Sequence, residues 1–410
     1  MKQDSLENDC VHRRRIKVGI FSSSSLEFYG GGEVTVIELA NSLASMGYDI
    51  TVYSDAVYNG IVRKPSSEID MMLKCKHSKI EYQKRKKSIT PSFLFQPLPA
   101  IQSLRENDVN LMLLYRLPTR KYLKSIARNR SVKCLFLMHG VVFNQVVSRS
   151  LKVIFYQLYL RFVFSVSSDL YTYKQIFFQL FCEDDRLFLV KHGIRHQNTY
   201  VIPTAVDFEQ YEVGRNDTTF RIIFIGRLDR TQKGISLLLG IIRYIISQDF
   251  VNVEIAIIGS GPARTEIEQI ASRHSSIKYF GFVSEEDKIK LLSKSNLMMV
   301  TSNLEPFSIV TVEGLASGLP VVSTPVTGPM SILTAGDGFG TITSFYVHRF
   351  MKPVLNYYSK WIEDKDSFYR DKIKRRNKSK TLFDLPIMVK NYATMIDEVA
   401  MNTDSTNERG

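Results

Sequence analysis

The chain has 410 residues, 44% of them hydrophobic and 23% charged, enough to fill more than one packed core and unlike a disordered or fibrous protein. Cys10, Cys75, Cys134 and Cys182 lie far apart with no CxxC pair, which excludes a disulfide framework and a cysteine zinc site and fits a reducing cytoplasm. The net charge of +13 is unevenly held: residues 1–205 carry 29 Lys and Arg against 17 Asp and Glu, and the rest 25 against 24.

In chain order, the first expected strand is Ile16–Phe21, a short apolar run. A Ser/Gly loop leads to Gly30-Gly31-Gly32-Glu33, and Val36, Leu39, Ala40 and Leu43 then recur at helical spacing over Val34–Met46. Further strands are expected at Asp49–Tyr53, Asn110–Leu114, Val132–Met138, Leu170–Tyr173 and Tyr200–Ile202. Between Val109 and Ser168 no acidic side chain occurs, while ten basic ones do, from Arg116 to Arg161. Inside that stretch, Leu151–Val166 gathers Phe155, Tyr156, Tyr159, Phe162 and Phe164 around Lys152 and Arg161. Those cations leave it short of a membrane span; it reads as a core helix with two snorkelling cations or as a helix in a membrane interface. No secretory signal is expected, because the first fifteen residues mix acids and bases without an apolar core.

The alternation then restarts. Strands are expected at Arg221–Ile225, Val253–Ile258, Ile277–Tyr279, Leu297–Val300 and Pro320–Ser323. Helices are expected at Gly234–Ser247, Pro262–Arg273, Ser284–Lys294 and Phe307–Ala316. Strand and helix in alternation predict parallel sheets covered by crossover helices, in two Rossmann-like domains. The boundary falls near Pro203–Asn216: an N-terminal domain over 1–205, a C-terminal one over 206–350, and terminal helices with a tail over 351–410. The charged run Asp371–Lys380 reads as a surface linker and Leu385–Val399 as a last amphipathic helix.

Four patterns carry chemistry. Glu305-Pro-Phe-Ser-Ile-Val-Thr-Val-Glu313 follows strand Leu297–Val300, at the edge where open α/β sheets bind ligands. Glu305 sits in the loop and Glu313 about two turns into the next helix; either carboxylate suits paired sugar hydroxyls. The helix start offers the amides of Phe307, Ser308 and Ile309 to a phosphate. Taken singly, each glutamate reads equally as a solvated acid at a helix start. Gly226-Arg227 through Lys233-Gly234 follows strand Arg221–Ile225 and sets two cations where a diphosphate leaving group would gather charge. Gly30-Gly31-Gly32 permits close approach of a phosphate, or simply makes a turn; it is not GxGxxG. His139, ending strand Val132–Met138, is placed to bond a sugar hydroxyl or to serve structure.

Taken together, Glu305 with Glu313 eight residues on, Gly226-Arg227 and Lys233 resemble the retaining family-four glycosyltransferases of the GT-B fold. The likeness runs from the glycines at 30–32 to the helix after Glu313. It implies two Rossmann-like domains facing each other across a cleft, with the last helix returning to the first domain. It implies that Glu305 contacts the donor sugar, Glu313 grips the ribose, Arg227 and Lys233 hold the diphosphate with the amides of Ser308 and Ile309, and His139 binds the donor sugar. Gly32 would let donor and acceptor meet, and Gly226 would line the donor site. No metal and no cofactor are implied; the donor would be a UDP-, GDP- or ADP-sugar. Two places depart from the family pattern: Thr204-Ala205 stands for the usual Asn-Gly before Val206-Asp207, and Gly328-Pro329, with Ser331 and Ile332, for the usual Gly-Gly and acid.

The expected function is therefore transfer of a hexose-type sugar from a nucleotide diphosphate sugar to a glycan or lipid-linked acceptor, with retention. The alternative is an inactive binding module on the same scaffold. The one-signed field of the first half suits an anionic membrane surface, a phosphorylated acceptor or nucleic acid; the expected place is cytoplasmic, peripheral at the inner face of the cell membrane. No basic-aromatic or base-reading motif supports a nucleic-acid partner.

Overall fold

Runs such as Val253–Ile258 hold β-branched residues on both faces, so they can satisfy themselves only as strands covered on two sides. A computed structural model describes residues 16–22, 25–28, 31–55, 65–80, 111–114, 133–137, 151, 154, 155, 158, 175–248 and 250–401. The chain forms two compact units. One contains residues 1–139, 162–202 and 389–410; the other contains 140–161 and 203–388.

The first unit is built on seven parallel strands: β1 (Lys17–Phe21), β2 (Asp49–Asp55), β3 (Lys76–Ile80), β4 (Leu111–Leu114), β5 (Lys133–Leu137), β6 (Ile176–Leu180) and β7 (Thr199–Val201). Their order is β3-β2-β1-β4-β5-β6-β7, the doubly wound arrangement in which the chain reverses direction across the sheet between β1 and β4. Helix α1 (Gly31–Ser45) covers it, burying Val36, Leu39, Ala40 and Leu43. The helix starts three residues before the expected Val34, so Gly31 and Gly32 form its first turn. Helices α2 (Ser66–Met72) and α3 (Glu183–Lys191), with strands β3 and β6, were not anticipated. The strand expected at Leu170–Tyr173 lies outside the described residues.

The second unit repeats the plan with six parallel strands. These are β8 (Phe220–Ile225), β9 (Val253–Ile258), β10 (Ile277–Gly281), β11 (Leu297–Val300), β12 (Val321–Ser323) and β13 (Gly340–Ile342), ordered β10-β9-β8-β11-β12-β13. The helices between them are α4 (Ile235–Ser247), α5 (Arg264–Arg273), α6 (Glu285–Ser293), α7 (Ile309–Ala316) and α8 (Thr327–Thr334). In α4 the buried face is Ile235, Leu238, Ile241, Ile242 and Ile245, the spacing of an amphipathic helix. The core closes on Phe220, whose ring meets Tyr358, Trp361 and Phe368 at centroid distances of 5.4, 5.6 and 6.3 Å. Three terminal helices follow: α9 (Val347–Glu363), α10 (Lys365–Phe383) and α11 (Leu385–Met401).

The expected linker Asp371–Lys380 is instead part of α10. Lys and Arg are good helix formers, and the run is anchored inward: Lys372 and Ser379 are buried, and Arg375 donates to the carbonyls of Gly318 and Gly338. Helix α11 begins on the second unit, where the Leu385 amide bonds the Val206 carbonyl. It ends on the first, where the Tyr48 hydroxyl reaches Asp397 Oδ1 at 2.6 Å and Lys133 reaches the Ala400 carbonyl at 3.1 Å. Among the described residues no helix is long and apolar enough to cross a membrane.

Candidate active site

Strands β8 and β11 pair in parallel at the centre of the second sheet, and the strand order reverses between them. Their carboxyl ends thus flank the point where doubly wound sheets open a crevice. Two loops leave this point, Gly226–Gly234 after β8 and Thr301–Ser308 after β11.

The loops are laced together. Gln232 offers its carbonyl to the amides of Asn303 (2.8 Å) and Leu304 (3.2 Å), and the Thr301 hydroxyl donates to the Lys233 carbonyl at 2.9 Å. Gly234 stands at φ 64°, and a Cβ there would collide with the Thr301 carbonyl oxygen, so both conformation and contact demand glycine. Asp229 turns the first loop by accepting the Gln232 amide at 2.7 Å. Arg227 projects from it, its side chain 59% exposed, with Gln232 Oε1 at 3.1 Å and Asp229 Oδ2 at 3.5 Å. At Gly226 itself an added Cβ would meet Lys233 and Phe224 at ordinary contact distance, so packing does not dictate that glycine.

Lys233 pairs with Glu305, their side chains 17% and 10% exposed, and the Ser302 hydroxyl donates to the same carboxylate oxygen at 3.1 Å. Glu305 also lends its backbone: its carbonyl accepts the Gly328 amide at 2.8 Å. A Cβ at Gly328 would strike the Phe307 carbonyl. Gly328 thus holds the 305–307 loop down, and Pro329 falls in the first turn of α8, where a missing N–H costs nothing.

Ser308 is the N-cap of α7 at φ 85°, a left-handed conformation that costs a serine of order 1–3 kcal/mol. Its hydroxyl lies 2.8 Å from Thr311 Oγ1. Because α7 starts at Ile309, the first-turn amides without intrahelical acceptors are those of Ser308, Ile309 and Val310, one residue later than expected. Glu313 is the fifth residue of α7, little more than one turn in rather than two. Its Oε1 accepts from Lys288 Nζ (2.7 Å) and the Tyr211 hydroxyl (3.3 Å), while Oε2 is buried without a partner. Gly314 lets α7 press on β11, since a Cβ there would lie 2.7 Å from Met298 Sδ.

The second unit therefore brings Gly226, Arg227, Lys233, Glu305, Ser308, Ile309 and Glu313 onto the loops and helix at one sheet edge. Gly32 belongs to the first unit, as the second residue of α1, and His139 lies outside the described residues.

Residues 206–378 match the family model for glycosyl transferases group 1. In that segment the chain is similar to group 1 glycosyl transferases. Over 125 residues the chain is 35% identical to an uncharacterized glycosyltransferase of Methanocaldococcus jannaschii, covering 30% of this chain and 31% of that one. Over 156 residues it is 26% identical to the phosphatidyl-myo-inositol mannosyltransferase of Propionibacterium freudenreichii, covering 36% and 39%. The chain thus spans about a third of the length of these curated relatives. Among solved structures, Anabaena HepE in complex with UDP and glucose superposes with a TM-score of 0.66 at 18% identity, over 93% of this chain and all of that one. A glycosyltransferase of Rickettsia africae gives 0.69 at 15%, over 95% and 99%. The likeness to these is one of fold, the GT-B fold.

Within residues 206–378 several supporting residues escaped the sequence reading. Gly259 and Gly261, with φ of 130° and 159°, pack on the backbone of Gly226 and Leu228. The Gly-Ser-Gly directly after β9 could have signalled this. Lys288 could not have been found: in Glu285-Glu-Asp-Lys288 it reads as one of a run of surface charges.

Proposed function

We propose that the protein transfers a hexose-type sugar from a nucleotide diphosphate sugar to a hydroxyl acceptor, with retention of configuration and without a metal. The observation that carries this is the juxtaposition, at one strand crossover, of the largely buried Lys233–Glu305 pair, the exposed Arg227 cation and the left-handed Ser308 start of α7. The crystal structure of HepE holds UDP and glucose, which supports a nucleotide-sugar donor for the shared fold.

In this reading Arg227 and the ammonium of Lys233 hold the diphosphate, aided by the amides of Ser308 and Ile309. Glu305, held by Lys233 and Ser302, accepts hydroxyls of the donor sugar, and Glu313 accepts those of the ribose. As the bond from the anomeric carbon to the diphosphate oxygen breaks, negative charge grows on the phosphate, where fixed cations lower the barrier. The acceptor oxygen bonds to the same face of that carbon, and the departing phosphate takes the acceptor's proton. The cations then serve where a metal would otherwise stand.

The acceptor is proposed to be a glycan or lipid-linked carrier at an anionic membrane face. Leu151, Phe155 and Leu158 fall on one helical stripe, i, i+4 and i+7, and are 70%, 69% and 48% exposed, inside a stretch without acidic side chains. Binding to anionic vesicles, weakened by salt and absent on neutral ones, is expected; equal binding to both rejects the electrostatic part. The donor is tested by thermal stabilisation with UDP, GDP and ADP. One of them should raise the midpoint, by roughly 3 kcal/mol of stability at a hundredfold excess over its dissociation constant; no shift with any counts against the reading.

A further inference from the structure

Glu313 is a buried carboxylate whose two oxygens are treated differently. Oε1 takes the Lys288 ammonium at 2.7 Å and the Tyr211 hydroxyl at 3.3 Å. Oε2, on the same group, has no hydrogen-bond partner. Buried polar atoms nearly always find partners, and a buried carboxylate oxygen left without one is costly unless a ligand supplies the bond.

Lys288 is built for the Oε1 side. Its side chain is 13% exposed, and it bridges inward to Glu313 and outward to the exposed Glu285, at 2.5 Å. Burial by itself would lower the ammonium's pKa, but attraction to Glu313 and Glu285 more than offsets that, so the group stays charged. Tyr211 is fixed in turn, since its carbonyl accepts from Arg376 at 3.3 Å. The carboxylate is thus gripped from α6 and from the segment before β8, and its torsion is set by groups other than the ligand.

We propose that Lys288 is a positioning residue: by occupying Oε1 it fixes the Glu313 carboxylate and reserves Oε2 as the acceptor for a ribose hydroxyl of the donor. This rests on the reading that Glu313 meets the ribose. A purely structural counter-ion would neutralise Glu313 equally well and leave discrimination between ribose and deoxyribose unchanged. A positioning residue would not.

The test uses the full chain, with UDP, GDP and ADP as probes, and then the 2′-deoxy and 3′-deoxy forms of whichever binds best. The wild type should prefer the ribonucleotide to at least one deoxy form by about tenfold or more, the worth of a hydrogen bond to a charged group. Lys288→Met should bring that ratio close to one with the fold retained by circular dichroism, and Lys288→Arg should restore part of it. Should Lys288→Met not fold, Lys288→Gln keeps a donor, drops the charge, and is expected to lower the ratio likewise. A wild-type ratio retained in Lys288→Met, or in Lys288→Gln, overturns the positioning role while leaving the ribose reading intact. No ribose preference in the wild type, or one unaffected by Glu313→Gln, overturns the ribose reading and this inference with it.

Discussion

Replacing Lys233 by methionine keeps the length of the side chain and removes the charge. Glu305 would then stand buried with the Ser302 hydroxyl in place of an ion pair. Removing one partner of a buried pair typically costs 3–5 kcal/mol, because the remaining charge is left uncompensated. Both side chains keep some exposure, so about 3 kcal/mol, the lower figure, is expected for Lys233→Met in urea unfolding at neutral pH. Glu305→Gln removes the charge that was left behind, so the double variant Lys233→Met/Glu305→Gln should recover most of that loss. The coupling in the double-mutant cycle should reach 2 kcal/mol or more, within the range of residues in direct contact. Transfer should fall by orders of magnitude in all three variants, through loss of a diphosphate cation or of the sugar contact. A single variant as stable as the wild type, or a coupling below about 0.5 kcal/mol, would show that the pair is not held as described.

Two other perturbations follow from the backbone and the buried charges. Gly234→Ala sets a Cβ in a left-handed position and against the Thr301 carbonyl; a loss of at least 1–2 kcal/mol in unfolding free energy is expected, and a neutral result would refute the contact. Lys372 is buried in α10, donating to the carbonyls of Gly214 (2.6 Å) and Ser295 (2.9 Å), and burial followed by nearby Arg375 pushes its pKa down to about 7. Between about pH 7 and 10 the unfolded chain keeps this proton and the folded chain does not, so stability from this group rises with pH, and below 7 its penalty is constant. Comparing wild type with Lys372→Met cancels the other titrating groups. The wild type should gain on the variant by up to about 1.4 kcal/mol per pH unit across that window, and a constant difference would rule the depressed pKa out.

The second domain was the more legible in sequence, and the reason is physical. Val253–Ile258 and Leu297–Val300 are short apolar runs bounded by polar turns, and the structure gives both with the expected limits. In the first domain β3 is Lys-His-Ser-Lys-Ile, an edge strand whose polar residues hide it. Strand β6, Ile-Phe-Phe-Gln-Leu, is buried throughout, and its apolar run continues into the buried Phe181 and Cys182, so no polar turn marks its end. The 371–380 stretch of α10 was misread because its inward contacts are made by Lys372, Arg375, Arg376 and Ser379 to carbonyls, and its buried apolar residues, Phe368 and Phe383, lie outside that stretch. At the site, Lys233 and Glu305 were recognisable because each lies in the loop that leaves the carboxyl end of a strand. Lys288 reaches Glu313 from a different helix, 25 residues away in sequence, and no local spacing encodes that contact.

The most direct measurement is release of nucleoside diphosphate from UDP-, GDP- and ADP-sugars by the purified chain, with and without Arg227→Ala. At least one donor should be turned over, slowly by hydrolysis when no acceptor is present, and Arg227→Ala should lower the rate by a hundredfold or more with its unfolding midpoint unchanged. Turnover of no donor, or an Arg227→Ala variant as fast as the wild type, would contradict a cation-held diphosphate leaving group at the β8–β11 crossover.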